Sequence, residues 1–266
     1  MEIVDLKQLR AIQKEILDSI HSFCMTKGIR YSLCAGSLLG AVRHHGYIPW
    51  DDDIDIMMPR VDYERFVKEY HSNDNYILDL RKEGHCVELF IKVCRKGTIM
   101  IDKMLGRALW GINIDIFPVD GYPDNTCFHC DSILAKKKMV EKLCPIYKSI
   151  SNKQQRIKWF IKFCAKRVVF FYPHSFLYLK AEIDQMVRAY SIEEEMLGCR
   201  LLGGYGYREV LDARLFQSYT DVLFEGDYYR SISDYDTYLK SLYGNYMELP
   251  PKEKQVTHHL YDSFFL

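Results

Sequence analysis

The segment that most constrains the fold is an acidic stretch inside an otherwise apolar run, Asp53-Ile54-Asp55-Ile56. Side chains of a β-strand alternate between its two faces, so this spacing predicts a strand with both carboxylates on one face and both isoleucines on the other. Two like charges that close repel by roughly 1 to 4 kcal/mol, depending on the local dielectric. The chain therefore needs a proton, a basic partner or a metal cation at this strand.

A second apolar stretch, residues 112–117, predicts another strand, which carries Asp115 on its polar face and ends at Pro118. Aspartate is a poor strand former, so three aspartates on two apolar strands indicate a shared function if the strands are neighbours. An all-oxygen ligand set favours a hard cation, and Mg²⁺ is the usual one where phosphate is also bound. Asp51 and Asp52, after Pro49-Trp50, fit a structural role in a turn or cap as well as they fit a functional role.

A strand–turn–helix pattern precedes the acidic stretch. A short apolar strand over residues 31–34 leads into Gly36-Ser37 and then into an apparent helix start. Backbone N–H groups at such a turn can hold phosphate oxygens. Gly36 would let a phosphate approach the backbone, and Ser37 would cap the helix or donate to the phosphate. Arg43 is a candidate for neutralising phosphate charge.

Three further residues are candidate substrate contacts, each with a structural alternative. Lys92 is a lone charge in an apolar strand and either reaches a phosphate or faces solvent. Trp50 either stacks on a base or sugar or packs beside a turn. His258, next to His259, either touches the site or has a capping or surface role.

Composition narrows the class of protein. The chain has 266 residues, of which 48% are hydrophobic, enough for one large domain or for one domain with an appended subdomain. A formal net charge of zero argues against a nucleic-acid binder. Nine irregularly spaced cysteines and a charged N-terminal segment without a secretory pattern predict a cytoplasmic protein with free thiols. Cys127 and Cys130 form a CxxC that fits a plain loop better than a zinc site.

The order of elements predicts an α/β (α+β) fold. A helical pattern over residues 3–24 ends at Gly28, a second helix covers 61–70, and five more strands are indicated at 53–58, 76–80, 87–94, 98–101 and 112–117. From about residue 128 the patterns become mostly helical, including a helix from 234 that Gly244 ends. We therefore expect a mixed sheet core with flanking helices over 1–125, and a mostly helical C-terminal half over 126–266 that packs on the core and shapes the substrate pocket.

The segment 153–180 is both basic and strongly apolar. Such a helix either lies on an anionic membrane surface or packs in the core with its lysines extended to water. No apolar run is long enough to predict a transmembrane span.

Glycine-serine, an Asp-apolar-Asp-apolar strand and a later acidic residue form the pattern of the nucleotidyltransferase superfamily. The stretch GSLLGAVRHHGYIPWDDDIDI resembles the LicD family, which includes fukutin and fukutin-related protein. The resemblance continues in NIDIFPVDG, residues 113–121, and in residues 223–259. It covers most of the chain, and residues 125–215 are the least distinctive.

The resemblance implies Mg²⁺-dependent transfer of a substituted phosphate from a CDP compound to a sugar hydroxyl, with Mn²⁺ as an alternative metal. Asp53, Asp55 and Asp115 match the metal-binding carboxylates, and Asp115 either binds metal or deprotonates the hydroxyl. Gly36 and Ser37 match the phosphate-holding turn. Phosphocholine from CDP-choline is the leading cargo, and ribitol phosphate or glycerol phosphate is the alternative.

The implied acceptor is a cell-surface glycan, such as lipopolysaccharide or teichoic acid, or its lipid-linked precursor. This acceptor places the enzyme in the cytoplasm or at the inner membrane face. Two other functions fit the same residues. A nucleotidyltransferase would place a nucleoside monophosphate on a small molecule or sugar, and a scaffold protein would bind nucleotide without turnover.

Overall fold

The computed structural model describes residues 2–83, 86–103, 107–123, 133, 136–138, 140, 173–200, 205–257 and 261–266. Its α-helices and strands, in chain order, are β1 (Glu2–Val4), α1 (Leu6–Lys27), β2 (Ser32–Leu33), α2 (Ala35–His44), β3 (Asp55–Pro59), α3 (Arg60–Glu69), β4 (Asn75–Asp79), β5 (Ile91–Arg95), β6 (Thr98–Asp102), β7 (Arg107–Ala108), β8 (Asn113–Tyr122), α4 (Pro173–Val187), β9 (Leu197–Cys199), β10 (Val210–Asp212), β11 (Tyr219–Phe224), β12 (Asp227–Ile232), α5 (Tyr235–Tyr243) and β13 (Tyr261–Phe265).

A mixed seven-stranded sheet forms the centre of the described structure. Strand β8 pairs in parallel with β3, and the register puts Asp55 beside Asp115. The first half of β8 also pairs antiparallel with β5, which puts Lys92 opposite Asp115. The two acidic strands are therefore neighbours, which is the condition under which the sequence patterns indicate a shared function.

Helix α1 packs on this sheet through the apolar face that its periodicity predicted. Asp5 and Gln8 form a capping box at its start, and Gly28 ends it in the left-handed conformation at φ 62°. Its buried side chains include Ile16, Leu17 and Ile20, which have no exposed surface. The helix thus covers the sheet at the level of the acidic loop between α2 and β3.

A smaller sheet joins the two ends of the chain. Its order is β1-β13-β6-β7, with β1 and β6 both pairing antiparallel to β13. The remaining strands, β11 and β12, form a hairpin whose turn residues Glu225 and Gly226 have φ 49° and 88°. Positive φ at both central residues is the geometry of the tightest hairpin turns. Glu225 accepts a hydrogen bond from the Tyr47 N–H at 3.1 Å, which fastens the hairpin to the loop after α2.

The α/β class and the mixed sheet core with flanking helices are confirmed. Several strand boundaries differ from expectation: β5, for example, begins at Ile91 rather than at residue 87. Two of the differences concern the acidic strands. Strand β3 begins at Asp55 rather than Asp53, because β2 is only two residues long and pairs no further back than Ile56. Strand β8 runs through Pro118, which pairs with Met58, whereas β5 pairs only as far as Ile116. The missing N–H of Pro118 therefore interrupts no ladder between β8 and β5.

The mostly helical C-terminal half is not confirmed. In its described part, α4 and α5 are accompanied by the five strands β9 to β13. Residues 141–172 lie outside the described residues, and with them the CxxC at 127–130 and most of the segment 153–180. The division into regions 1–125 and 126–266 stays a prediction. In the part of the chain that the structure describes, no helix combines the length and apolarity needed to cross a bilayer.

Candidate active site

The loop between α2 and β3 is held by Arg10 of α1. Its Nη2 donates to the carbonyl oxygens of Ile48, Pro49 and Asp51 at 3.1, 3.1 and 2.6 Å. Three carbonyls converging on one cation fix a turn that has no regular secondary structure of its own. The acidic loop is therefore positioned by contacts across the fold rather than by strand pairing.

The predicted alternation is observed in the acidic stretch. Ile54 and Ile56 are fully buried in the core, while Asp53 and Asp55 line a cleft on the other side. The Asp55 N–H donates to Ser37 Oγ at 2.8 Å. The backbone of Asp55 is thereby tied to helix α2, and the carboxylate at the start of β3 has a fixed position.

Ser37 was expected to cap the helix or donate to a phosphate. It is only 4% exposed, and its hydroxyl oxygen accepts from Asp55 instead. Gly36 packs against the acidic loop: a Cβ there would lie 2.8 Å from Asp51 Oδ2. Only glycine allows this close approach, so Gly36 brings Asp51 against the start of α2. The phosphate-holding roles of both residues stay predictions.

Asp53 and Asp55 are half-buried carboxylates on one cleft floor, so their charged forms repel each other and lose contact with water. Burial, followed by the neighbouring Asp55, Asp51 and Asp115, raises the pKa of Asp53 well above its usual range. Burial and Asp115 raise the pKa of Asp55 to about 7, while Arg200 and Lys92 act in the opposite direction. The cleft floor thus carries more negative charge than its own cations offset.

The third predicted carboxylate has a partner of its own. Asp115 forms an ion pair with Lys92, whose Nζ also donates to Asn113 Oδ1 at 3.2 Å and lies 5.1 Å from the centre of the Trp110 ring. Burial acts to lower the pKa of Lys92, but Asp115 more than compensates, so that this pKa is raised. A solvent-facing Lys92 is therefore wrong, because the residue is 7% exposed and paired with Asp115.

The cleft has a volume of about 760 Å³ and lies between the acidic strand and the C-terminal segment. Predicted and unpredicted residues share its wall. Its polar and aromatic lining comprises Arg43, Trp50, Asp51, Asp53, Asp55, Arg200, Tyr205, Tyr243, Asn245, Tyr246, Glu248 and Lys254. Neither Asp115 nor Lys92 belongs to this lining, so both lie behind the cleft floor rather than at its surface.

Aromatic rings form one side of the cleft. The hydroxyls of Tyr205 and Tyr243 are 2.7 Å apart, and their rings meet edge to face at 5.4 Å between centroids. Trp50 lines the cleft and also packs against the core, so both of its expected roles fit. The cleft therefore combines an acidic floor with an aromatic wall.

Arg43 fastens the C-terminal segment across the cleft. Its Nη1 donates to the carbonyl oxygens of Tyr246 and Glu248 at 2.7 and 3.4 Å. Burial lowers its pKa. Because the Arg43 guanidinium donates to two carbonyl oxygens of the C-terminal segment, it helps to shape the cleft wall. Contact between Arg43 and a phosphate stays a prediction.

Sequence reasoning missed four residues that build this site: Arg10, Arg200, Tyr205 and Tyr243. Arg10 looks like an ordinary surface residue of an amphipathic helix, and Arg200 lies in the least distinctive part of the chain. No short motif marks either of them, because their partners are 40 or more positions away in several cases. His258 lies outside the described residues.

The donor set fits a divalent cation by its chemistry. Asp53 and Asp55 are half-buried carboxylates with raised pKa values, and a dication would relieve their mutual repulsion. Among the described residues, no three or more His, Cys, Asp or Glu side chains are already arranged around one metal position. Asp115 is held by Lys92, so a two-carboxylate site completed by the substrate is the arrangement that these side chains support.

Comparison with known proteins relates part of this chain to a known family. The family model described as LicD/FKTN/FKRP, nucleotidyltransferase domain, matches residues 28–145. That range contains the acidic stretch, the glycine-serine turn and strand β8.

Curated relatives extend the match. The lipopolysaccharide cholinephosphotransferase LicD of Haemophilus influenzae is 29% identical over 290 aligned positions, which cover 100% of both chains. Uncharacterized proteins of Rickettsia prowazekii and Rickettsia typhi are each 45% identical over 42 residues, or 16% of this chain. These matches show that residues 28–145 carry a LicD-type nucleotidyltransferase domain, and that the chain is similar over its full length to a LicD transferase.

Proposed function

We propose that this protein transfers phosphocholine from CDP-choline to a sugar hydroxyl of a cell-surface glycan, and that it releases CMP. The observation that carries the proposal is the pair of half-buried carboxylates, Asp53 and Asp55, on the floor of a cleft with an aromatic wall. The full-length match to a lipopolysaccharide cholinephosphotransferase supports the cargo and a lipopolysaccharide-type acceptor.

The aromatic wall favours choline over a polyol as the cargo. A quaternary ammonium group is attracted to the faces of Trp and Tyr rings, whereas ribitol and glycerol would need hydrogen-bonding groups instead. Trp50, Tyr205, Tyr243 and Tyr246 all line the cleft, and the Glu248 carboxylate lies on the same wall. CDP-ribitol and CDP-glycerol are the alternative donors, and a direct comparison of the three would identify the cargo.

Asp53 and Asp55 would hold Mg²⁺, or Mn²⁺, which when bound neutralises charge on the diphosphate and on the departing CMP. The acceptor hydroxyl attacks the phosphorus that carries choline, and the bond from that phosphorus to the bridging oxygen breaks. CMP leaves with the bridging oxygen, and a carboxylate takes the hydroxyl proton.

Two carboxylates are candidates for that proton. Asp51 lines the cleft beside Gly36, and Asp115 lies behind the floor against Lys92. Placement in the cleft favours Asp51, and Asp115 then serves to hold Lys92 next to Asp55. Asp51→Asn and Asp115→Asn separate the two: the variant lacking the base loses kcat and the rise of rate with pH, whereas the other variant keeps that pH profile.

The proposal is tested by incubating purified protein with CDP-choline, lipopolysaccharide and MgCl₂ and measuring CMP. We expect CMP release that depends on acceptor and metal, that is lost in Asp53→Ala and Asp55→Ala, and that persists in Asp212→Ala, a change at an exposed acid of β10. CMP release by either cleft variant with an unchanged circular dichroism spectrum would remove the metal-site proposal.

The second candidate function is nucleotidyl transfer, because the same carboxylates serve attack on either phosphorus and the matching domain is a nucleotidyltransferase domain. Release of pyrophosphate from a nucleoside triphosphate would favour it.

We further propose that the enzyme works in the cytoplasm at the inner membrane face, where lipid-linked glycan precursors are built. Sedimentation with anionic vesicles tests whether the segment 153–180 makes that contact.

A further inference from the structure

Arg200 is a buried cation in the cleft that the proposed mechanism does not use. The residue follows β9, is 2% exposed, and forms an ion pair through Nε with Glu209, which has no exposed surface. Its guanidinium lies 4.3 Å from the centre of the Phe117 ring. Burying such a pair costs more free energy than a well-packed apolar pair, so its presence at a cleft wall indicates a function.

The contacts of Arg200 leave part of its guanidinium unused. Nε is paired with Glu209, and Nη1 lies 3.5 Å from Cys34 Sγ. Within the described part of the chain, Nη2 makes no hydrogen bond, although Arg200 lines the cleft together with Asp55. Arginine presents its donors as a planar fork that matches two oxygens of a phosphate, and stacking on Phe117 keeps that plane fixed.

The charges around Arg200 suit a phosphate group that binds together with a metal cation. Arg200 and Asp55 line the same cleft. A phosphate placed between them would face the acidic pair on one side and the guanidinium on the other. The phosphate oxygens that face the acidic pair need a cation between them and the carboxylates. The oxygens that face Arg200 need none, because the guanidinium is itself positively charged.

We propose that Arg200 is a phosphate-binding residue, which contacts the non-bridging oxygens of the donor diphosphate, and that Glu209 is the residue that positions it. The identity of the donor rests on the proposed function. Binding of a diphosphate group by Arg200 does not, because any nucleoside diphosphate compound or inorganic pyrophosphate presents the same oxygens.

The test uses the full chain and inorganic pyrophosphate as the probe, by titration calorimetry in MgCl₂. Arg200→Met alone would leave the buried Glu209 without the guanidinium that it pairs with and only the Tyr205 N–H donating to it. The informative variant is therefore the double change Arg200→Met/Glu209→Gln, which replaces the ion pair with neutral groups. The matched control is Arg214→Met/Asp212→Asn, which removes an Arg–Asp pair of the same kind at an exposed site outside the cleft.

We expect the cleft double variant to melt within a few degrees of wild type and to bind pyrophosphate about tenfold or more weakly, since a charge-assisted contact is lost. Arg200→Lys should recover part of the affinity, and the control should match wild type. Glu209→Gln alone should weaken binding less than the double change.

An unchanged dissociation constant for pyrophosphate in the folded double variant would overturn the proposal, as would equal weakening by the control. The two proposals fail separately. A wild-type protein that binds pyrophosphate through Arg200 but releases no CMP from CDP-choline would refute the proposed donor and would leave the phosphate contact standing.

Discussion

Asparagine in place of Asp55 perturbs the electrostatics of the cleft floor without changing its shape. In the metal-free protein, burial and Asp115 raise the pKa of Asp55 from 3.8 to about 7. The folded state then holds a proton that the unfolded state has lost between about pH 4 and pH 7. The free energy of unfolding therefore falls as pH rises through this window, by about 4 kcal/mol in total for this one group.

The amide cannot titrate, so Asp55→Asn should lose this dependence. About 3 kcal/mol of the effect lies between pH 5 and pH 8, so over this range the stability of the wild type should fall by more than that of the variant, in which Asp53 still titrates. Lost attraction to Arg200 and Lys92 offsets part of the gain, and we expect the variant to be about 1 to 3 kcal/mol more stable than wild type at pH 8. At pH 5 the advantage should be small.

The assay is urea unfolding in EDTA at both pH values, followed by circular dichroism. Asp212→Asn is the control, because Asp212 is exposed and its hydrogen bonds to Arg214 lower its pKa to about 2; it should keep the wild-type pH dependence. MgCl₂ at pH 8 should stabilise wild type and leave Asp55→Asn unaffected. An equal fall in the free energy of unfolding from pH 5 to pH 8 in wild type and in Asp55→Asn would show that Asp55 does not cause this pH dependence.

Four further changes probe separate contacts. Asp53→Ala should abolish CMP release while circular dichroism shows an unchanged fold. Ser37→Ala leaves the Asp55 N–H without its acceptor and should cost about 1 to 3 kcal/mol in urea unfolding, together with a lower kcat. Tyr243→Ala removes one ring of the aromatic wall and should raise the KM for CDP-choline about five- to thirtyfold, whereas Tyr243→Phe should change it little. Arg10→Met releases three carbonyls of the acidic loop and should cost about 2 kcal/mol or more, measured by thermal unfolding with and without MgCl₂.

Local pattern was sufficient to predict the acidic floor. The alternation of Asp53 to Ile56 and of residues 112–117 follows from strand geometry, and the observed register of Asp55 beside Asp115 agrees with it. Helix ends were equally readable, because Gly28 and Gly244 end α1 and α5 where a positive φ is needed.

Long-range partners were not predictable from the sequence. The sequence pattern of a lone lysine in an apolar strand is the same whether the lysine faces solvent or pairs with an acid. Only the pairing of β5 with β8 places Lys92 opposite Asp115, where the two form an ion pair. Arg200 and Glu209 likewise carry no local signal, since their significance comes from the buried ion pair that they form and from the position of Arg200 in the cleft that Asp55 also lines. Strand β8 continued through Pro118 because the neighbouring strand ends before it, which is a property of the sheet and not of the residue.

The proposed function requires that the acceptor hydroxyl attacks the phosphorus that carries choline. The most direct test is phosphorus NMR of the products formed from CDP-choline, MgCl₂ and a lipopolysaccharide acceptor, with CDP-ribitol, CDP-glycerol and CTP in parallel. With CDP-choline we expect free CMP and a new choline phosphodiester on the glycan. Free phosphocholine with CMP attached to the acceptor, or pyrophosphate released from CTP while CDP-choline stays intact, would show that a different phosphorus is attacked.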